Sequence, residues 1–182
     1  MTREELGALL VERAYLEGDF VLRSGRRSRY YLDKYRFETE PRLLAGLGRE
    51  LAALVRSDGG DPQLLAGPEL GAVPLAAVVS VETGLPFVIV RKEAKEYGTA
   101  KRLEGVFEPG ARVCVVEDVV TSGGALLSAV DALREAGMHV SAAICVVDRE
   151  EGGAAAIAAA GLSFTALFTA SALGVGGAPA TA

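Results

Sequence analysis

The chain has 182 residues, half of them apolar, a net charge of −5, two cysteines and one histidine. This is the length of one domain, with enough apolar material for a sizeable core. The acidic balance excludes broad binding to nucleic acid or to an anionic membrane, each of which needs a basic face as large as its footprint. An anionic ligand must therefore be held by a local basic cluster.

The N-terminal stretch MTREELGALL carries acids and no long apolar run, and no segment approaches the ~20 apolar residues of a membrane span. A cytoplasmic protein is the expectation. Leu6, Leu9, Leu10 and Ala14 share one helical face and predict a helix over 3–16, ended by Gly18. Short β-prone pieces follow at 20–22 and 29–32, around the turn Ser24-Gly25. A second helix is predicted from Pro41, capped by Thr39 or Glu40, with Leu43, Leu44, Leu47, Leu51 and Leu54 on one stripe.

From there strands and helices alternate. The strands are 64–66, 87–90, 113–116, 140–147 and 164–168; the helices are 73–82, 125–136 and an Ala-rich one near 153–160. Strands apolar on both faces and joined through helices predict an α/β domain whose parallel sheet is flanked by helices on both sides. Cys114 and Cys145 fall inside apolar runs and read as buried and inert. His139, the single histidine, reads as structural at the start of a strand, so multi-His metal sites and Ser-His-Asp chemistry are not expected. The expected organisation is one domain over 1–182: an N-terminal helix and hood at 1–36, a core at 37–170 and a flexible Gly/Ala-rich tail at 171–182.

The string VCVVEDVVTSGGALLSAVDAL, Val113 to Leu133, carries the chemistry. If Val113–Val116 is a central parallel strand, Glu117 and Asp118 lie at its carboxyl end, where open α/β sheets place ligands. Thr121, Ser122, Gly123, Gly124 and Ala125 then offer two hydroxyls, unencumbered amides and the positive end of a helix dipole, a combination that cradles a phosphate. The carboxylates can accept hydrogen bonds from vicinal hydroxyls or hold magnesium through water. The plainer alternative is an N-cap turn beside two solvated acids. No Walker loop or Gly-x-Gly-x-x-Gly fingerprint is present.

VCVVEDVVTSGGA resembles the phosphoribosyl-pyrophosphate (PRPP) motif of the type I phosphoribosyltransferases. The resemblance implies that Glu117 and Asp118 meet the ribose hydroxyls, that Val119, Val120 and Thr121 to Ala125 complete the PRPP loop around the 5′-phosphate, and that Asp118 belongs to the catalytic set. It also implies that fold, with a small N-terminal hood and a mobile hairpin. The basic segment VRKEAKEYGTAKRLEG, whose plainer reading is a solvated hairpin, resembles the catalytic loop of orotate phosphoribosyltransferases within that family. By that resemblance Arg91, Lys92 and Lys95 meet the pyrophosphate, Lys95 is catalytic, and the loop 91–102 reaches the neighbouring site of a homodimer. Tyr97 and Thr99-Ala100-Lys101 depart from the usual loop tip.

In VVDREEGG, Arg149 can fork onto a planar carboxylate such as that of orotate, or else pair with Glu150 or Glu151 at the surface. The resemblance assigns orotate to Arg149 and Thr121. Looser matches place Arg23, Tyr30 and Tyr31 in the hood near the base, and Pro68 and Glu69 in a pyrophosphate-side loop where Gly71 stands in place of a lysine that some members carry. The implied reaction is transfer of the phosphoribosyl group from PRPP to orotate, with Mg2+ brought by PRPP and waters and not held by a protein metal site. The partners are the two substrates and a second copy of the chain, without nucleic acid or membrane. Rival readings are a purine or uracil phosphoribosyltransferase and a PRPP-sensing regulator. The acidic chain and the absence of an added DNA-binding domain speak against the regulator.

Overall fold

The computed structural model describes residues 1–21, 27–93 and 102–175. Helix α1 (Arg3–Ala14) opens with a capping box in which Thr2 and Glu5 bond each other's backbone amides. It ends four residues before Gly18, earlier than the periodicity predicts. Tyr15 and Leu16 instead enter strand β1 (Tyr15–Val21), paired antiparallel with β2 (Arg27–Leu32) through Tyr15↔Leu32 and Leu16↔Tyr31. Cross-strand pairing, reinforced by the stacked Tyr15 and Tyr30 rings at 5.7 Å, overrides the helical pattern. This hairpin is the hood that the N-terminal residues predict.

A five-residue helix α2 (Lys34–Glu38) then precedes α3 (Pro41–Asp58), whose N-cap is Glu40, accepting from the Leu43 amide at 2.7 Å. Sequence reading missed α2 because one turn carries no hydrophobic period. The remaining elements are β3 (Leu64–Pro68), α4 (Ala72–Thr83), β4 (Phe87–Val90), β5 (Leu103–Glu104), β6 (Arg112–Val120), α5 (Gly124–Glu135), β7 (His139–Asp148), α6 (Gly153–Ala159) and β8 (Ser163–Thr169). They form a sheet of order β5-β4-β3-β6-β7-β8, parallel except for β5. The expected α/β architecture is therefore present.

Alternate strand residues divide the core into two layers. Leu65, Cys114, Val116, Ile144 and Val146 face α1, α3 and α4, while Ala66, Val113, Val115, Ala143 and Cys145 face α5 and α6. Both cysteines are free and buried, and burial pushes the Cys114 thiol up to about 12, which makes it inert. His139 begins β7, as expected. Residues 171–175 of the expected tail are anchored: Val175 is buried and its amide bonds the Ala170 carbonyl at 3.0 Å.

The strand order reverses between β3 and β6. Chain connections leave β3 toward one edge and β6 toward the other, so a crevice opens above their carboxyl ends. The helices that pin these strands determine the shape of that crevice. Leu47, fully buried on α3, is a measure of this packing. Leu47→Ala should cost about 2–5 kcal/mol, read as a lower midpoint in thermal or urea unfolding.

Candidate active site

Two loops flank the crevice: residues 69–71 after β3 and residues 121–123 after β6. Between them lies a cavity of about 590 Å³ whose wall includes Pro68, Glu69, Arg91, Lys92, Glu117 and the run from Val119 to Ala125. Strand β6 extends through both acids to Val120 because Glu117↔Cys145 and Val120↔Asp148 continue its pairing with β7. The acids thus stand inside the strand, not beyond it, and pleating separates them. Glu117 faces the cavity on the α5 side, whereas Asp118 is not on the cavity wall and is 2 % exposed on the α3–α4 side.

The phosphate-cradling prediction fits the local backbone. Gly123, at φ +82°, is the N-cap of α5 and offers no side-chain bond to the first amides, which stay open to a ligand. Thr121 and Ser122 are exposed on the cavity wall beside them. Their hydroxyls and these amides, at the positive end of a twelve-residue helix, suit a phosphate dianion.

Burial raises the Glu117 carboxyl to about 8, with the charge of Asp118 adding to the effect. On the far side of the strand, the Asp118 carboxylate is engaged twice. Oδ2 accepts from Lys34 Nζ at 2.6 Å, and Oδ1 accepts from the Val119 amide. Burial alone would lower the Lys34 pKa, but the charge and hydrogen bond of Asp118, with Glu117 and Glu38 behind them, leave it raised. Glu38 lies beside this pair, 2 % exposed, with Oε1 unpartnered among the described residues and its carboxyl raised to about 8, first by burial and then by Asp118. Lys34 and Glu38 are the site-adjacent residues that sequence reading missed. Their one available signal was the i, i+4 spacing of a lysine and a glutamate, which only a known helix makes meaningful.

The basic segment leaves β4 at Val90 and returns through β5, so its base is a hairpin stem. Glu69 Oε1 accepts from the Lys92 amide at 2.7 Å, and the Arg91 amide donates to the Arg102 carbonyl at 2.7 Å. Arg91 and Lys92 line the cavity together with Pro68 and Glu69. Lys95, Tyr97 and residues 99–101 lie outside the described residues, as does Arg23.

Arg149 follows β7, and its amide donates to the Val120 carbonyl at 2.9 Å, which ties it to the acidic corner. Its guanidinium packs 4.6 Å from the centroid of the Tyr30 ring, and one Nη lies 3.0 Å from Glu151. The side chain is 7 % exposed, so this pairing is not the surface contact expected as the alternative; the buried Nε has no partner among the described residues. A buried guanidinium with an open N–H, covered by an aromatic ring, suits a planar anionic ligand. Tyr31 points elsewhere: it tilts against Phe20 at 5.6 Å and is exposed. Tyr30, not Tyr31, therefore meets Arg149.

A crevice at the switch point of an α/β sheet, with a glycine-rich helix N-terminus, an acid and a basic hairpin on its walls, is suited to a phosphorylated ligand. The family model for the phosphoribosyl transferase domain matches residues 36–160. The chain is 50 % identical over 156 residues to an orotate phosphoribosyltransferase of Methanocella arvoryzae, covering 86 % of this chain and 87 % of the relative. It is 48 % identical to that of Halobacterium salinarum, over 93 % and 95 % of the two chains. The crystal structure of the Mycobacterium tuberculosis H37Rv orotate phosphoribosyltransferase in complex with PRPP superimposes with a TM-score of 0.80 at 34 % identity, covering 94 % of this chain and 98 % of that one. The chain belongs to the orotate phosphoribosyltransferase family.

The buried acids give the site a pH signature. A Glu38 carboxyl raised from the usual 4.5 to about 8 keeps its proton in the folded chain and loses it in the unfolded one between those values. Its stabilising contribution is thus complete at low pH and falls as pH rises through about 8. Glu38→Gln should flatten the decline in unfolding temperature between about pH 5 and 9; an unchanged slope would show that Glu38 is ionised throughout.

Proposed function

We infer that the protein transfers the 5-phosphoribosyl group of PRPP to orotate, giving orotidine 5′-monophosphate and pyrophosphate in pyrimidine biosynthesis. The observation that carries the choice of base is Arg149, a buried guanidinium with an open Nε–H beneath the Tyr30 ring. Orotate brings a carboxylate to meet that open N–H beside the Glu151 ion pair; uracil and the purines carry none. An assay with PRPP and each base in turn tests the reading. Turnover of orotate with no turnover of uracil or the purines is expected, and preference for another base would overturn it.

In this reading the loop Thr121–Ala125 and the α5 amides hold the 5′-phosphate, and Glu117 accepts from the ribose hydroxyls. Arg91 and Lys92 sit at the pyrophosphate end, where Pro68 and Glu69 form the opposite wall. The C1–pyrophosphate bond breaks with oxocarbenium character at the ribose while a ring nitrogen of orotate forms the new bond to C1 and gives up its proton to the departing pyrophosphate or to water. The pyrophosphate leaves with the electron pair. Such a step requires alignment of two substrates and neutralisation of the leaving group more than it requires a strong acid or base. Lys95 supplies the charge that matters most as the bond breaks.

Magnesium suits the donor set only in part. Glu117 is the acid on the cavity side, and no group of three or more His, Cys, Asp or Glu among the described residues could enclose a metal ion. The ion would be held by the pyrophosphate and waters, with Glu117 nearby, and would add positive charge at the leaving group. No helix among the described residues is long and apolar enough to cross a membrane.

The assembly is a two-fold dimer in which the loop 91–102 serves the partner's site; the support is the family resemblance of RKEAK. Mixing the inactive variants Lys95→Ala and Glu117→Ala under subunit exchange should restore about a quarter of wild-type activity, since half the dimers are mixed and each has one intact site. No recovery despite verified exchange would assign the loop to its own subunit.

Base recognition yields a second expectation. Arg149→Ala should raise the orotate KM by the equivalent of roughly 2–5 kcal/mol while leaving the PRPP KM nearly unchanged. Steady-state kinetics with each substrate varied checks this; equal losses for both would make Arg149 structural.

A further inference from the structure

The residue after Arg149 has a backbone that side chains rarely adopt. Glu150 stands at φ +59°, in the left-handed region, where its Cβ crowds the following carbonyl. Two sets of bonds offset that strain. The Asp148 carboxylate, buried at the end of β7, accepts from the Glu150 amide at 2.8 Å. The Glu150 carboxylate in turn accepts from the Ser171 amide at 2.7 Å and from the Ser171 hydroxyl at 2.9 Å. Ser171 is itself fixed by its neighbours: the Ala170 amide donates to the Asp148 carbonyl at 2.8 Å, and Val175 is buried. Glu150 is therefore clamped between the end of β7 and the segment that follows β8.

Glu150 lies between Arg149 and Glu151, whose side chains pair at 3.0 Å with the guanidinium against the Tyr30 ring. Its backbone angles decide whether those two side chains meet, and so which way the guanidinium turns its open Nε–H. The clamp is at the surface, since Glu150 and Ser171 are both exposed. Exposed bonds of this kind add little to global stability, so the effect of this one is on direction. The charge has the wrong sign for a direct contact, because an acid beside an anion site repels the ligand.

We propose that Glu150 is a positioning residue for base recognition, holding Arg149, through its clamp to Ser171, in the orientation that receives a carboxylate. This rests on the orotate reading of Arg149. Glu150 does not touch the base, and the segment after β8 takes part in the site without lining the cavity.

The test measures the orotate KM at saturating PRPP, and PRPP affinity by calorimetry with magnesium, on the full chain. The variants are Glu150→Ala, Ser171→Ala and their double, with the two single changes repeated in an Arg149→Ala background. Glu150→Ala should raise the orotate KM about three- to tenfold, whereas relief of repulsion alone would lower it. Ser171→Ala keeps its amide and should raise the KM less, by about twofold, and the double variant should match Glu150→Ala, because the pair acts as a unit. In the Arg149→Ala background neither change should alter the orotate KM, since no guanidinium is left to orient. PRPP affinity should stay within about twofold, because the Val120↔Asp148 pairing and the Arg149 amide bond to Val120 lie on the strand side of residue 150. Where Glu150→Ala does not fold, Ser171→Ala with and without Arg149→Ala decides in the same way. An orotate KM unchanged or lowered, an equal loss for PRPP, or a loss retained in the Arg149→Ala background overturns the inference. Wild type that binds PRPP without turning over orotate would overturn the base reading and the inference with it, an outcome distinct from orotate turnover that is indifferent to Glu150.

Discussion

Placing carboxylates inside the central strand of a parallel sheet sets the terms for everything around it. Glu117 and Asp118 lie next to each other in β6, both nearly enclosed, and an enclosed acid must be protonated or matched by a positive charge. Pleating sends them to opposite faces, so they are handled separately. Glu117 opens to the cavity, where a ligand's hydroxyls can meet it. Asp118 is closed in, where Lys34 neutralises it. The hood hairpin and α2 are arranged around that second requirement.

The rest of the site follows from topology. The reversal of strand order between β3 and β6 puts two loops and a helix N-terminus at one crevice, so the fold supplies amides suited to a phosphate without dedicated basic side chains. The basic residues are then concentrated at the other end, on the stem of the hairpin between β4 and β5. Glu69 fixes that stem through the Lys92 amide. An acidic chain can bind a polyanion this way because its positive charge is local.

Base and sugar are recognised by different layers. In the proposed reading the sugar phosphate would meet the carboxyl ends of the strands and the base would meet Arg149, which packs against Tyr30 of the hood. The Arg149 amide to Val120 carbonyl bond brings these two parts into register. Substrates that must be aligned within a few tenths of an ångström are thus positioned by elements far apart in sequence but bonded directly to one strand.

Much of this was legible in the sequence. The strands at 87–90 and 164–168, the α3 stripe through Leu43, Leu47 and Leu51, and the glycine-rich turn into α5 are local patterns: periodicity, apolar runs and glycine chemistry act over a few residues. The early end of α1, the extension of β6 through both acids and the short helix α2 were not legible, because strand pairing with distant residues decides them. The sequence by itself determined that an acidic pair and a glycine-rich helix N-terminus stand at one corner, with an arginine further along the chain. Only the tertiary structure decided that Glu117 faces the cavity and Asp118 faces Lys34, 84 residues away in the chain, since the direction of a side chain depends on strand register and its charge on whatever the fold packs against it.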